Sequence, residues 1–224
     1  MGEIITIDGP GGSGKSTIAK LMARKLNFIY LDTGAMYRAV ALAALRNGIP
    51  FDQEARLSDL CQTIDLRFEH TEDASRLLLN GEDVSQAIRS PEMDIASSTV
   101  SAVRAVRFAM TDLQRRLSQD LNVVAEGRDM GTVVFPDARN KFFLTARPEV
   151  RARRRYRERQ KRGEEISFEE VASLLAKRDQ QDASRNLAPL KPAEDAVMID
   201  SSDLEPTDVA KKMMAHVNST LRKS

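Results

Sequence analysis

The sequence is poor in cysteine and histidine, and it contains no long apolar run. Cys61 is the single cysteine in 224 residues, so no disulfide can form within the chain, which favours a reducing compartment. His70 and His216 lie far apart and form no Cys/His cluster of the kind that binds zinc. No apolar stretch approaches the roughly 20 residues that a membrane-spanning helix needs. We therefore expect a soluble, cytoplasmic protein with no membrane partner.

The chain also lacks an excess of charge of either sign. Its 34 Lys and Arg residues balance 33 Asp and Glu residues, for a net charge of +1. Such a balance gives no general attraction to nucleic acid, so any basic function must be local. The content of 42% hydrophobic and 30% charged residues is typical of a globular domain. With no heptad pattern and no large apolar stripe, we expect a monomer without a nucleic-acid partner.

Short β-rich apolar runs alternate with longer helical stretches along the chain. Near-continuous apolar strands between helices are typical of a parallel sheet that is covered on both faces. The sequence therefore predicts an α/β fold with a five-stranded parallel sheet. The five runs are IITI (4–7), FIYL (28–31), NVVAE (122–126), KFFLT (141–145) and AVMID (196–200).

The segment GPGGSGKST follows the first predicted strand and precedes an amphipathic helix, which is the context that a phosphate-binding loop requires. Glycines let backbone N–H groups approach phosphate oxygens, and the helix adds its positive end. We expect Lys15 to contact the outer phosphates of ATP and the Ser16 hydroxyl to serve Mg²⁺. A turn that served only packing would need neither four glycines nor a Lys-Ser pair. The candidate ATP-binding residues are Gly9, Pro10, Gly11, Gly12, Ser13, Gly14, Lys15, Ser16 and Thr17.

Two segments interrupt the alternation of strands and helices. Residues 51–95 contain two short strand patterns with turn chemistry at Asn80-Gly81, which predicts an insertion with a small antiparallel element. Residues 151–165 are rich in arginine. Charge spread around one helix is compatible with a solvated surface, a nucleic-acid surface or a lid that brings cations over ATP.

Among proteins with a phosphate loop, the pattern favours a small kinase. The only Asn-Lys pair lies in the predicted strand NKFF, so the base-reading motif of GTP-binding switches is missing. The apolar run NVVAE ends with Glu126, whereas larger ATP-driven machines usually have an Asp at the end of the corresponding strand. The chain is also short for such a machine. A small kinase has a separate pocket for the acceptor, which must be sought elsewhere in the sequence.

Four segments, in this order and spacing, closely resemble bacterial-type cytidylate kinases: IDGPGGSGKST, LDTGAMYRAVALAAL, AEGRDMGTVVFPDA and RDQQDASRNLAPL. The resemblance runs through nearly the whole chain and includes LNGEDVSQAIRSPE. It implies a single P-loop domain of the three-layer nucleoside monophosphate kinase fold over residues 1–224. It also implies an NMP-binding insertion at about 36–95 and a lid at about 151–166. The implied reaction transfers phosphate from ATP, with Mg²⁺, to CMP or dCMP.

The resemblance also implies a set of residues that contact CMP. Guanidinium groups suit its phosphate, because their fork makes paired, charge-assisted hydrogen bonds. Thr33, where the family often has Ser, would contact the phosphate side, although a helix N-cap is an alternative for this residue. Asp182 would accept from the ribose, although an ion pair with Arg185 is an alternative. The guanidinium groups in matching contexts are Arg38, Arg128, Arg178 and Arg185.

Cytosine presents an amino donor beside acceptor atoms, so its recognition calls for a hydroxyl, a guanidinium and a carboxylate. By the resemblance these are Ser98, Arg107 and Asp129. An Asp129 carboxylate that accepts from the amino group would reject uracil, which has a carbonyl there. Ser97 is an alternative to its neighbour Ser98, and an exposed helix charge is an alternative for Arg107.

Phosphoryl transfer depends mainly on positioning and on neutralising charge, so we expect rate to come from cations. Alternatives to the (d)CMP kinase function are another nucleotide or small-metabolite kinase of this fold and an ATP-regulated nucleic-acid-binding protein. The candidate catalytic residues are Lys15, Arg128, Arg178, Arg185 and, from the predicted lid, Arg154 and Arg155.

Overall fold

The structure, a computed structural model, describes residues 2–70 and 75–221, so part of the predicted insertion, residues 71–74, lies outside the described residues. The strands are β1 (Ile4–Asp8), β2 (Ile29–Asp32), β3 (Leu66–His70), β4 (Ser75–Leu79), β5 (Glu82–Asp83), β6 (Val123–Gly127), β7 (Asn140–Thr145) and β8 (Val197–Asp200). The helices are α1 (Lys15–Leu26), α2 (Thr33–Arg46), α3 (Glu54–Thr63), α4 (Pro91–Val100), α5 (Arg104–Leu117), α6 (Pro148–Gln160), α7 (Phe168–Ser184) and α8 (Pro206–Leu221).

The chain divides into two compact units. The first runs through Leu31 and resumes at Ser118, and the second spans Asp32–Leu117. Among the described residues, no helix is long and apolar enough to cross a membrane.

The five predicted strands of the large sheet are confirmed. They lie in the order β2-β6-β1-β7-β8, and the register pairs for β1, β7 and β8 are parallel. All five residues of β6 are buried, as are four of five in β1, so both faces of the central strands are covered. That burial explains why these strands are almost continuously apolar. This arrangement is the predicted α/β P-loop fold.

Helices α1 and α8 pack on the sheet through one continuous apolar core. This core includes Met22 from α1, Met213 from α8 and Phe142 from β7. A separate small core, with Ala152, Val171 and Leu175 at its centre, joins α6 to α7. The arginine-rich α6 is therefore anchored along an apolar seam.

The second unit is built on α2, which packs against α4 and contacts α3 and α5. The predicted antiparallel element is confirmed as a β3-β4-β5 sheet. Asn80 and Gly81 at its turn have φ values of 52° and 84°, which matches the left-handed turn that an Asn-Gly pair favours. The structure adds a 3₁₀ turn, Ala87–Arg89, which the sequence pattern did not predict.

Candidate active site

The phosphate loop ends with Gly14, which is the N-cap of α1 and has a φ of 95°. Gly14 has no side chain that could cap the helix, so the first amides of α1 are available to an anion. At the other end of the loop, a Cβ on Gly9 would lie 2.0 Å from the carbonyl oxygen of Leu144. Only glycine therefore allows the loop to leave β1 along this path.

Lys15 is buried inside this loop. Its Nζ donates a hydrogen bond of 2.7 Å to the carbonyl oxygen of Pro10, which also accepts one of 3.0 Å from Ser13 Oγ. Burial lowers the pKa of Lys15 well below its ordinary value, and the charges of Arg128 and Arg178 lower it further, whereas Glu126 raises it. These charges link the loop to the site arginines, and a bound phosphate would stabilise the charged ammonium.

Ser16 is positioned by Glu126, a residue to which the sequence analysis gave no role in the site. Ser16 Oγ donates a 2.9 Å hydrogen bond to Glu126 Oε2, and the Tyr30 hydroxyl donates to Glu126 Oε1. Glu126 lies at the end of β6 and is only 4% exposed. Mg²⁺ prefers oxygen ligands, so a serine hydroxyl beside a carboxylate fits the expected ion. Among the residues that the structure describes, no group of three or more His, Cys, Asp or Glu could hold a metal.

Two arginines of α6, Arg151 and Arg154, contact carbonyl oxygens of the phosphate loop, those of Gly11 and Ser13. Arg151 donates to the carbonyl oxygens of Ala146 and Gly11, at 3.0 and 3.1 Å, and pairs with Asp179 of α7. Arg154 Nη2 donates to the Ser201 carbonyl oxygen at 2.7 Å, and its Nη1 donates to Ser201 Oγ at 3.0 Å. Arg151 was not predicted from the sequence, because Gly11 and Asp179 lie 140 and 28 positions away along the chain.

The other predicted lid residue, Arg155, pairs with Glu158 one turn along α6, at 3.0 Å. Its side chain is 18% exposed and that of Glu158 is 53% exposed. Arg154 and Arg155 therefore differ, because Arg154 binds backbone near the loop while Arg155 pairs with a surface side chain.

Asp182 gathers three of the predicted arginines. Its side chain is 2% exposed, and its Oδ2 accepts from Arg128 Nε at 2.9 Å while Oδ1 accepts from Arg185. Arg178 Nε lies 4.0 Å from the same carboxylate. Burial raises the pKa of Asp182, but the charges of Arg128, Arg185 and Arg178 hold it below the ordinary value. The proposed alternative, an ion pair with Arg185, is therefore present, and Arg128 joins it.

Asp129 follows Arg128 directly and is 2% exposed. A single π-helical turn, Met130–Val134, begins after it. The Asp129 carbonyl oxygen accepts from the amides of Val133 and Val134, at 2.9 and 3.2 Å. The backbone of the predicted cytosine-reading residue is thus held in a short, irregular turn.

In the second unit, Thr33 and Arg38 lie on the first turns of α2. The N-cap alternative for Thr33 is wrong: Asp32 is the N-cap, and its Oδ1 accepts from the Ala35 amide at 2.9 Å. Arg38 Nη2 donates to Asp94 Oδ1 at 3.2 Å, while the buried Arg38 Nε has no hydrogen-bond partner in the described residues. An oxyanion would satisfy that donor.

Asp32 has a second partner that sequence analysis missed, because Arg89 Nη2 donates to its Oδ2 at 3.1 Å. Burial raises the pKa of Asp32, but Arg89 and Arg38 lower it more, so the pKa lies below its ordinary value. This carboxylate therefore stays ionised between the two guanidinium groups.

Arg107 is 6% exposed, so its alternative role as an exposed helix charge is wrong. Its Nη1 donates to the Ser101 carbonyl oxygen at 3.0 Å, and its guanidinium carbon lies 5.6 Å from the centre of the Tyr37 ring. Ser97 and Ser98 are both buried, and Ser97 Oγ donates to the carbonyl oxygen of Asp94 at 3.1 Å. The Ser97 hydroxyl is therefore committed to its own helix.

The structure thus groups Arg128, Arg178 and Arg185 around one carboxylate in the first unit, which also contains the phosphate loop. A loop for triphosphate and a gathered set of guanidinium groups define a P-loop kinase. Thr33, Arg38, Ser98 and Arg107 belong to the second unit.

Comparison with known proteins narrows this class. The family described as cytidylate kinase matches residues 5–219. The cytidylate kinase of Geobacter sp. strain M21 is 50% identical over 220 residues, which cover 98% of this chain and 94% of that protein. The cytidylate kinase of Vibrio cholerae serotype O1 is 43% identical, with 97% of each chain covered. This chain belongs to the cytidylate kinase family.

A solved structure of an uncharacterized protein from Eubacterium ventriosum aligns with a TM-score of 0.53. The alignment covers 97% of this chain and 99% of that one, at 12% sequence identity. This likeness concerns the fold alone.

Proposed function

We propose that the protein transfers the γ-phosphate of ATP to CMP or dCMP, giving ADP with CDP or dCDP. The observation that carries this proposal is the clustering of Arg128, Arg178 and Arg185 around Asp182. Two of these arginines also lower the pKa of Lys15, so the cluster and the phosphate loop share one electrostatic environment. A transferring phosphoryl group needs this concentration of fixed positive charge.

The phosphate loop binds the ATP phosphates through its backbone amides and the first amides of α1. On binding, Lys15 exchanges its contact with the Pro10 carbonyl oxygen for the outer phosphates. Ser16, oriented by Glu126, holds Mg²⁺, which neutralises charge on the phosphates when it is bound. Arg151 keeps the carbonyl oxygen of Gly11 on the outside of the loop, so that amides face the anion.

The acceptor phosphate and the phosphoryl group in transfer are bound by Arg128, Arg178 and Arg185. Asp182 fixes the orientation of these three guanidinium groups. In this structure both Asp182 oxygens accept from guanidinium groups, so its primary role is to position those groups. We assign to Asp182 a ribose hydroxyl as a further donor, since a carboxylate offers about four acceptor sites. Of the lid residues, Arg155 is better suited to reach ATP, since its partner Glu158 is exposed, whereas Arg154 supports the loop.

Thr33 and Arg38 bind the phosphate side of CMP. Arg38 already presents a buried Nε without a partner in the described residues, while its Nη2 is held by Asp94. Ser98 and Arg107 contact the cytosine ring, and Asp129 accepts from the cytosine amino group. A carboxylate cannot accept from the carbonyl that uracil has at that position, which favours CMP over UMP.

An assay of ADP release with ATP and Mg²⁺ tests the function, with CMP, dCMP, UMP, AMP, GMP and shikimate offered in parallel. Preference for CMP and dCMP supports it. Preference for shikimate or a purine nucleotide would move the protein to another acceptor class of the same fold. Asp129→Ala should then lose preference for CMP over UMP while it still uses ATP.

We also propose that the protein acts as a cytoplasmic monomer that binds no nucleic acid. Light scattering at the concentration of the activity assay would reveal a dimer. A salt-dependent shift of labelled RNA or DNA would contradict the second part.

A further inference from the structure

Asp8, a buried carboxylate at the end of β1, binds the start of the Met130–Val134 turn, which directly follows the predicted site residues Arg128 and Asp129. Asp8 is 4% exposed, and each of its oxygens accepts a hydrogen bond from a different backbone amide. Met130 N donates to Oδ1 at 2.9 Å, and Gly131 N donates to Oδ2 at 2.8 Å. Asp8 thus binds two consecutive amides directly after Asp129.

This arrangement holds the backbone that follows Asp129 and so sets where the Asp129 side chain starts. Charge-assisted bonds from a carboxylate to amides are shorter and stronger than neutral ones. The amides of Met130 and Gly131 are held by Asp8, and the carbonyl oxygen of Asp129 accepts hydrogen bonds from the amides of Val133 and Val134. The peptide groups after Asp129 therefore have little freedom to rotate.

The turn is also packed closely against the sheet. A Cβ on Gly131 would lie 3.0 Å from Thr6 Oγ1 and 3.2 Å from Lys141 Cδ. These side chains belong to β1 and β7, so the turn lies close to both strands. A small shift of the amides would therefore require rearrangement of the strand side chains.

We propose that Asp8 is a positioning residue that sets selectivity for the acceptor base. It does so by fixing the start of the Met130–Val134 turn, directly after Arg128 and Asp129. The inference rests on the proposed role of Asp129 in reading cytosine. It assigns to Asp8 a function that acts through the two backbone amides it binds, those of Met130 and Gly131. Because Gly9 follows Asp8, the same residue joins the phosphate loop to the base-reading turn.

The charge state of Asp8 supports this role. Burial raises the pKa of Asp8, and the charge of Asp129 adds to this, whereas the two amide hydrogen bonds and the charge of Lys15 lower it; the net pKa is about 6. At neutral pH the carboxylate is mostly ionised, so both oxygens can accept. Asparagine has the same shape but only one accepting oxygen, and its NH₂ group would face one of the two amides.

The test compares Asp8→Asn with Glu3→Gln, a matched change of carboxylate to amide just before the other end of β1. Glu3 accepts from Asn140 Nδ2 at 2.9 Å and lies outside the proposed site. The measured quantity is kcat/KM for CMP divided by kcat/KM for UMP. Both acceptors share ATP and the same phosphate chemistry, so loss of folded enzyme or of ATP affinity cancels in the ratio.

We expect Asp8→Asn to lower this ratio by about tenfold, the loss of one hydrogen bond to a charged group, while Glu3→Gln leaves it unchanged. Amide hydrogen exchange at Met130 and Gly131 should become faster in Asp8→Asn. Gly131→Ala gives a second approach if Asp8→Asn folds poorly, since its Cβ displaces the same amide. An unchanged ratio in both variants would overturn the proposal.

A third variant, Asp129→Asn, tests the role of Asp129 in reading cytosine separately from the role of Asp8 in fixing the turn. If it loses selectivity while Asp8→Asn retains it, the role of Asp129 stands and that of Asp8 fails. If Asp129→Asn keeps selectivity, the reading of cytosine by Asp129 fails, and hydrogen exchange alone decides whether Asp8 fixes the turn. Unchanged exchange at Met130 and Gly131 then overturns the proposal.

Discussion

The Tyr30 hydroxyl donates a hydrogen bond to the Glu126 carboxylate, which also accepts one from Ser16. Tyr30 lies on β2 and Glu126 at the end of the neighbouring β6. The sheet therefore fixes the carboxylate beside the hydroxyl that we assign to Mg²⁺. Lys20 adds to the group, since its Nζ lies 5.5 Å from the centre of the Tyr30 ring.

Removal of the Tyr30 hydroxyl should weaken binding of ATP specifically when Mg²⁺ is present. Tyr30→Phe takes away one bond that orients Glu126, so we expect a loss of affinity of about threefold to tenfold, or ~1 kcal/mol. Calorimetric titration of ATP with and without Mg²⁺ measures this. Tyr156→Phe is a matched control, because its hydroxyl accepts a local hydrogen bond from Gln160, four residues along the chain. Equal losses with and without Mg²⁺ would contradict the assigned role.

Asp182→Asn should impair transfer more than binding of ATP. The neutral amide no longer attracts Arg128, Arg178 and Arg185, and a misplaced guanidinium costs about 10²-fold in rate. We expect kcat to fall by about that factor, with KM for ATP nearly unchanged. Asp208→Asn, which removes an exposed pair with Lys211, serves as the control in steady-state kinetics. A kcat like that of the wild type would show that Asp182 does not organise the cluster.

Arg38→Lys should bind CMP poorly although it keeps the positive charge. Lysine lacks the planar fork, so it cannot bond an oxyanion through Nε while another nitrogen contacts Asp94. We expect KM for CMP to rise by about tenfold, with KM for ATP unchanged. The corresponding control on the same helix is Arg46→Lys, whose partner Glu82 is exposed. If both variants gave the same KM for CMP, Arg38 would have no role in binding the acceptor.

The free energy of unfolding should depend on pH through the titration of Asp8. Its pKa is about 6 in the folded chain, compared with an ordinary value of 3.8, so the native state binds more protons between these limits. The stability contributed by protonated Asp8 is therefore fully present below about pH 4 and is lost as pH rises through 6, by about 3 kcal/mol.

Asp8→Asn lacks this titration. Its free energy of unfolding, measured in urea relative to that of the wild type, should therefore increase by most of that amount between pH 4 and 7. A difference that does not change with pH would contradict the raised pKa.

Features with a local signature were predictable from the sequence. The central strands were predictable as apolar runs because both of their faces are covered, and the phosphate loop because its glycines and Lys-Ser pair are contiguous. The hairpin appeared because Asn80 and Gly81 favour positive φ. In each case the cause lies within a few residues of its effect.

Residues that act through distant partners were not predictable. Asp8 and Met130 are separated by 122 positions, Ser16 and Glu126 by 110, and Gly11 and Arg151 by 140. A lone carboxylate or arginine in a strand or helix carries no sign of such a partner. Arg107 was similarly ambiguous, because its burial and its packing against Tyr37, which distinguish it from an exposed helix charge, arise from the tertiary structure.

The central claim is that phosphate passes from ATP to the phosphate of a cytidine nucleotide, and isotopic transfer tests it most directly. The protein would be incubated with γ-³²P-labelled ATP, Mg²⁺ and CMP, and the products separated by chromatography. The account predicts that the label appears in CDP and depends on CMP. Label that appears only as inorganic phosphate, at a rate that CMP does not change, would contradict it.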